Sequence, residues 1–454
     1  MFLINMKMKY IYFQNWYFRQ VIIVMCLGMI ECFSAPTSEA SEKDKAPPNI
    51  ILIMADDLGA ECLESYGGES YNTPNLNQLA DQGIQFTNAY ATPLCTPTRV
   101  QLMTGQYPFH NGWTGGIWTL PKDEQSLDPQ IFNFGRMLKE RGYSTAIAGK
   151  WQLTRFEDHP MHLQKMGFDQ HCLWTWQYGG ELPDYVSLEN PGKPSRFWNP
   201  GIWKNGNLMK DVKGKFGPDI YTDFLLDFIE KHQSEPFFVY YPMALPHWPY
   251  IKVPGMEESQ YTDQEKFAAM VEYMDGLVGK LMKKLRELGM SDNTLFLFTA
   301  DNGTDPTITS RINGKTIQGG KHKLNEAGTR VPFLLNWPNK AIKAEKVDAL
   351  VDFSDILPSF AEVADSDIPA SHKVDGRSFL PVIKGKKRQV RKWVFCQQGE
   401  EWFLRTKEYR LYKDGTFEYM KNHYSPIEID VQENKKAARK RRYLQKVAKD
   451  LGVQ

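Results

Sequence analysis

The chain has 454 residues, and 55 Lys plus Arg stand against 54 Asp plus Glu for a formal net charge of +1. That balance supplies no global field to recruit nucleic acid or an anionic membrane, so any anion recognition must be built locally. The length exceeds the size at which one hydrophobic core stops growing, which predicts a large domain with a smaller appendage.

In chain order, Lys7, Lys9 and Arg19 precede an apolar run from Val21 to Ile30, and small and polar residues follow from Ser34-Ala35-Pro36 onward. Residues 1–35 read as a secretory signal cleaved near Ala35, which predicts an exported protein, periplasmic or secreted. An uncleaved anchor is the alternative, because the segment before the run is aromatic-rich; the run itself is short for a membrane span, so no stable membrane insertion is expected after cleavage. Residues 36–48, rich in Ser, Glu, Lys and Pro, read as a flexible tether. A catalytic domain is expected over residues 49–374 and a C-terminal subdomain over 375–454.

From Asn49 to about Trp337, strand-like apolar runs alternate with helix-like segments. Strands are predicted at Ile50 to Ala55, Ser144 to Ala148, Phe237 to Tyr241, Thr294 to Thr299 and Phe333 to Asn336, each apolar nearly throughout as buried parallel strands are. Helices are predicted over Phe132 to Arg141, Asp219 to Lys231 and Asp263 to Leu288. Beyond Asp375, short strands are predicted at Trp393 to Gln397, Trp402 to Thr406 and Tyr409 to Lys413, and the basic tail Ile427 to Leu451 is helix-prone, its charges read as a solvated face. The expected fold class is α/β, a large mostly parallel sheet flanked by helices with a small C-terminal antiparallel α+β subdomain.

Six cysteines are present, two of them, Cys26 and Cys32, inside the signal. The others, Cys62, Cys95, Cys172 and Cys396, are too far apart for a dense disulfide framework or a C-x-x-C metal pair.

Two motifs place carboxylates where strands end, the site at which open α/β sheets bind ligands. Asp56-Asp57-Leu58-Gly59 follows the first strand, and Asp301-Asn302-Gly303 follows the strand Thr294 to Thr299. Either alone is also ordinary turn chemistry. Together, four oxygen-bearing side chains without a nearby histidine or cysteine pair suit a hard cation, calcium or magnesium, over zinc.

The run Cys95-Thr96-Pro97-Thr98-Arg99, extended from Pro93 to Gly105, resembles the signature of the type I, formylglycine-dependent sulfatases of the alkaline phosphatase superfamily. Gly142 to Trp151, with Lys150, resembles the second signature of that family, and Gly319-Gly320-Lys321 with Glu326, Gly328 and Arg330-Val331-Pro332 matches a later segment. The resemblance implies a fold, a partner and a reaction. A formylglycine-generating maturation enzyme oxidises Cys95 to 3-oxoalanine, whose hydrate attacks sulfur and passes through a covalent sulfoenzyme. One Ca2+ per chain is held by Asp56, Asp57, Asp301 and Asn302 against residue 95. Arg99 holds the hydrated aldehyde, Lys150 and Lys321 bind sulfate, and His247, in Leu245-Pro246-His247-Trp248-Pro249, is the general acid, an imidazolium available near neutral pH.

At one position the chain departs from the family pattern: Gly149-Lys150-Trp151-Gln152 has glutamine where the family commonly has histidine. An amide orients a hydroxyl but is no base at neutral pH, so aldehyde regeneration is expected to be slower, or to fall to His322 or to solvent. His110 is read as shaping a loop. His159, His162 and His171 belong to a loop-rich stretch with Trp174, Trp176, Tyr178, Trp198 and Trp203, which suits either sugar-stacking subsites or aromatic packing. The expected substrate is a sulfated carbohydrate or related sulfate monoester. A phosphonate or phosphate monoester hydrolase of the same superfamily and a catalytically impaired sulfated-glycan binding protein are the alternatives.

Overall fold

The continuous apolar runs are buried on both faces. Ile50, Ile51, Leu52, Ile53 and Met54 have no exposed surface at all, and they lie in β1 (Asn49–Ala55) of a ten-stranded sheet. The computed structural model describes residues 47–178, 182–190, 193–338, 340–432 and 434–453; the segment read as a signal, and the one read as a tether as far as residue 46, lie outside the described residues.

The other nine strands of this sheet are β2 (Ile84–Tyr90), β3 (Ser144–Gly149), β4 (Gln170–Trp174), β5 (Ile202–Lys204), β6 (Asn207–Leu208), β7 (Phe237–Pro242), β8 (Thr294–Ala300), β9 (Phe333–Asn336) and β10 (Glu345–Asp352). Their order is β10-β2-β9-β8-β1-β7-β3-β4-β5-β6. The contiguous run β8-β1-β7-β3-β4 is parallel throughout. β9 runs antiparallel to both β8 and β2, and β5 and β6 form an antiparallel edge. The sheet is thus mostly parallel, as expected.

Two of its strands escape the apolar pattern. β2 carries Gln85, Thr87 and Asn88, and the structure gives all three polar groups partners: Gln85 Nε2 donates to the Ser65 carbonyl, Thr87 Oγ1 to the Val347 carbonyl and Asn88 Nδ2 to the Asp348 carbonyl. β10 loses its alternation at an irregularity between Val347 and Leu350, the kind of bulge that breaks a period-two reading.

The helices covering the sheet start where local chemistry stops the preceding chain. They include α1 (Pro74–Gln82), α2 (Cys95–Thr104), α3 (Phe134–Glu140), α4 (Gly217–Lys231), α5 (Asp263–Glu287) and α6 (Ile356–Val363). α3 begins two residues later than predicted because Asn133 caps it, its side chain accepting from the amides of Gly135 and Arg136. α4 begins two residues earlier, with Pro218 in a first turn that needs no amide donor. α5 opens on a reciprocal capping box between Thr262 and Glu265.

The C-terminal part forms a second, antiparallel sheet of β11 (Val394–Gln398), β12 (Glu401–Arg405), β13 (Tyr409–Tyr412), β14 (Phe417–Tyr419) and β15 (Ile427–Glu428). Helix α7 (Lys435–Leu451) packs Ala437, Leu444, Val447 and Ala448 into the same cluster as Phe395, Trp402 and Leu404, which leaves most of its Lys and Arg residues toward solvent. The tail is therefore part strand and part helix. All four described cysteines are buried and unpaired, and among the described residues no helix is long and apolar enough to cross a membrane.

His171, buried on β4, accepts the Gly206 amide through Nε2 at 3.0 Å, and burial pushes its imidazole down to about 4. The unfolded chain takes up a proton near 6.5 that the folded one refuses, so stability is fully present above that pH and falls as the pH drops toward 4. A shift of that size corresponds to about 3 kcal/mol. Thermal melts from pH 7 to 4 should show a shallower loss in His171→Leu than in the wild type; parallel curves would remove His171 from the account.

Candidate active site

The site stands on the C-terminal edge of four adjacent parallel strands. Register pairs Ala55 at the end of β1 with Ala300 at the end of β8, so Asp56-Asp57 and Asp301-Asn302 leave the sheet side by side. The Asp57 amide donates to Asp301 Oδ1 at 3.1 Å and Asn302 Nδ2 donates to Asp57 Oδ1 at 2.8 Å. His247 follows β7, and Lys150 follows β3 with its amide bonded to the Pro242 carbonyl at 2.7 Å. That approach requires Gly149: its φ is 114°, and a Cβ there would stand 2.0 Å from the Pro242 oxygen.

Cys95 is the first residue of α2, 1 % exposed, and Arg99 is one turn further along a helix whose ten residues are all buried. Pro97 lies in the first turn, where a missing amide costs nothing. Thr92 and Thr98 share a hydroxyl contact of 2.7 Å that pins the entry to the helix, and Gly105 ends it at φ 68°. The helix N-terminus thereby presents its positive dipole end at residue 95.

Cations close the ring around the acids. Arg99 donates to Asp301 Oδ2 through Nη2 at 2.6 Å and Nε at 3.2 Å, and through Nη1 to the Lys150 carbonyl at 2.7 Å. Lys150 Nζ contacts both oxygens of Asp56, at 2.8 and 2.7 Å. Lys321 Nζ donates to Asp57 Oδ2 at 2.6 Å and to His247 Nε2 at 3.1 Å. The structure therefore brings together Asp56, Asp57, Arg99, Lys150, His247, Asp301, Asn302 and Lys321, with Cys95 carried at the head of the Arg99 helix.

Burial raises the Asp56 carboxyl, but Lys150, His247, Arg99 and Lys321 outweigh it and hold the group well below its ordinary range. Asp301 moves the other way, raised by burial and then by the Asp56 charge against the pull of Arg99. Acids that compete for charge in one small volume are what a divalent cation relieves. A further observation fits such an ion: Asn302 Oδ1 is buried with no hydrogen-bond partner among the described residues, a carbonyl-type oxygen of the kind hard cations take. Asp56, Asp57 and His247 also converge as possible metal-holding groups; the surrounding oxygens favour a hard ion over one that prefers imidazole.

His247 differs from expectation. Its Nδ1 donates to the Trp248 carbonyl, which leaves Nε2 as the acceptor toward Lys321. Burial and the Lys321 ammonium push the imidazole well below its ordinary value, so these residues alone hold it neutral instead of as a resident imidazolium. Gln152 is buried in left-handed backbone, φ 52°, with its Oε1 unpartnered among the described residues. His110, as expected, ties a loop: its Nδ1 contacts Asp375 Oδ2 at 2.7 Å.

The aromatic stretch resolves into packing. Trp174 and Trp176 are buried, their indole N–H groups donating to the carbonyls of Pro194 and Thr154, Trp198 donates to Lys252, and Trp203 stacks on Phe156. Exposed tryptophan is elsewhere. Trp118, 47 % exposed, lines a cleft of about 710 Å³ with Leu94, Trp113, His322, Gln398 and Glu401, so the cleft borders the site at the residues next to Cys95 and Lys321. Sequence reasoning missed one residue of the site itself, Arg196, whose Nη1 lies 3.6 Å from Asp56 Oδ2; an arginine flanked by Ser195 and Phe197 carries no motif.

The Sulfatase family model matches residues 48–366, and the model of the C-terminal part of N-sulphoglucosamine sulphohydrolase matches residues 320–435. N-acetylgalactosamine-6-O-sulfatase of Bacteroides thetaiotaomicron is 32% identical over 415 residues, covering 77% of this chain and 79% of that protein. Human N-acetylgalactosamine-6-sulfatase is 30% identical over 386 residues, covering 78% and 69%. The crystal structure of Ps i-CgsB superposes with a TM-score of 0.73 at 25% identity, covering 89% of this chain and 92% of that one. A match running from the first strand through α6, on a scaffold shared almost from end to end with a solved structure, makes this chain a member of the type I sulfatase family, an enzyme of the alkaline phosphatase superfamily.

Proposed function

We propose that the chain hydrolyses a sulfate monoester carried on a carbohydrate, using formylglycine made from Cys95 and a Ca2+ ion held by Asp56, Asp57, Asp301 and Asn302. The observation that carries this reading is the ring itself: three carboxylates and an amide oxygen at the ends of adjacent strands, bridged by Arg99, Lys150 and Lys321. Such a ring suits an anion that binds through a cation and buried donors together.

In the structure residue 95 is the unmodified cysteine, whose thiol stands for the formyl group. Hydrated formylglycine supplies a hydroxyl able to attack sulfur, and Ca2+ supplies charge to the nonbridging oxygens. The protein residues do the rest. Arg99, fixed by Asp301 and the Lys150 carbonyl, orients the reacting group at residue 95. Lys150 and Lys321, paired with Asp56 and Asp57 in the structure, would be freed toward sulfate oxygens with Ca2+ on those carboxylates. An anion beside His247 offsets the Lys321 charge that helps lower its pKa, so Nε2 takes up a proton and gives it to the substrate alcohol oxygen as the sulfur–oxygen bond breaks. Gln152 orients without accepting a proton. His322 is the base candidate at the cleft, since burial and Lys321 keep its imidazole below its ordinary value and thus neutral.

The carbohydrate is supported by the cleft, where Trp113 and Trp118 offer flat apolar faces beside polar groups, and by the relatives. Two of these are named for N-acetylgalactosamine 6-sulfate, and Ps i-CgsB was also crystallised with k-i-k-neocarrahexaose. The N-terminal pattern supports action outside the cytoplasm. The test is release of inorganic sulfate from a panel of monosulfated saccharides headed by 6-O-sulfated N-acetylgalactosamine, using protein co-produced with a formylglycine-generating enzyme. Sulfate release is expected. Glycan binding without release would favour the binding-protein alternative, and faster phosphonate or phosphate ester cleavage the other.

A further inference from the structure

Arg196 lies on a segment, residues 182–217, that no recognised motif touches. Its guanidinium is held on two sides: Nε contacts both Glu189 oxygens at 3.0 Å, Nη2 contacts Glu189 Oε2 at 3.0 Å, and the whole group lies 3.9 Å above the centre of the Trp174 ring. The Arg196 amide donates to the same Glu189 carboxylate at 2.6 Å. The residue is 5 % exposed. One nitrogen is left over. Nη1 is buried with no hydrogen-bond partner among the described residues and stands 3.6 Å from Asp56 Oδ2.

A buried guanidinium N–H without an acceptor is costly unless something arrives to take it. Anchoring the segment to the core would need only the Glu189 fork and the Trp174 stack, both of which are complete without Nη1. The clamp instead fixes the fork in one orientation, with its free nitrogen on the side of Asp56, where Lys150 also converges. A rigid, charged donor at that point meets an anion already bound to the neighbouring cations.

We propose that Arg196 is a further sulfate-binding residue, donating from Nη1 to a nonbridging oxygen of the sulfate ester bound beside Lys150, with Glu189 and Trp174 as its positioning residues. This rests on the sulfatase reading but is tested apart from turnover. Arg196 adds a fixed positive donor beside a site whose usual second-signature histidine is Gln152, and it acts on the anion without exchanging a proton.

The experiment measures the affinity of Ca2+-loaded full chain for inorganic sulfate, by displacement of a bound anion probe or by thermal shift against a chloride control. Arg196→Gln should weaken sulfate binding by about 10- to 100-fold, the span expected for one charge-assisted hydrogen bond, while leaving Ca2+ affinity unchanged. Glu189→Gln, which leaves the Arg196 charge in place but removes the Glu189 charge and loosens the clamp, should weaken it less. Unchanged sulfate affinity in a folded, Ca2+-binding Arg196→Gln protein would overturn the proposal, as would a wild type that does not bind sulfate. If Arg196→Gln does not fold, Arg196→Lys decides: a single ammonium cannot serve Glu189 and sulfate together, so affinity should still fall by about 10-fold, and wild-type affinity would refute the role. Sulfate binding that depends on Arg196 without any sulfate release from the saccharide panel would sink the catalytic reading and leave this one standing.

Discussion

Cys95→Ser is expected to lower sulfate release by on the order of 10⁴-fold or more, the scale seen when a catalytic nucleophile is removed. Serine fits the buried space at the head of α2, so the helix, the Arg99 contacts and the carboxylate cluster persist. On the proposed mechanism the geminal diol is what goes, because serine is not matured by the same aerobic route. Substrate affinity and the Ca2+-dependent melting temperature should therefore stay close to wild type while turnover disappears. Turnover in Cys95→Ser within 10-fold of wild type, an order-of-magnitude threshold set against that expected loss, would mean that residue 95 is not the reacting group.

Asp301→Asn is the second large effect. The carboxylate accepts two donors of Arg99, at 2.6 and 3.2 Å, and the Asp57 amide at 3.1 Å, in a fully buried setting. Asparagine keeps the shape and removes the charge. Breaking one side of a buried ion pair costs about 3–5 kcal/mol, and the same change takes one of three carboxylates from the proposed cation site. The melting temperature should fall, the stabilisation of the wild type by Ca2+ and its loss in chelator should shrink or vanish in the variant, and activity should drop by on the order of 100-fold or more. An unchanged Ca2+-induced shift in Asp301→Asn would remove Asp301 from the metal site.

What the sequence made legible, and what it hid, follows from how each part is buried. Strands covered on both faces must be apolar from end to end, so β1, β7 and β8 could be placed within a residue, and the acids just past β1 and β8 then fell at neighbouring strand ends. β2 and β10 were hidden because their polar residues find partners only in the folded chain, as Asn88 does with the Asp348 carbonyl. The antiparallel course of β9 is equally invisible, since an apolar tetrapeptide has no direction. Trp174 and Trp176 could have faced sugar or core; only the structure shows their indoles bonded to internal carbonyls. Arg196 lay beyond reach for a related reason. Its meaning depends on Glu189, Trp174 and Asp56 meeting in space, and no spacing in the chain encodes that.

The central claim is that Cys95 becomes the reacting aldehyde. It is tested most directly by the intact mass of the peptide containing Cys95, from protein produced with an active formylglycine-generating enzyme and capable of releasing sulfate. The account predicts a mass corresponding to 3-oxoalanine at residue 95, in proportion to specific activity across preparations; an unmodified thiol in fully active protein would contradict it.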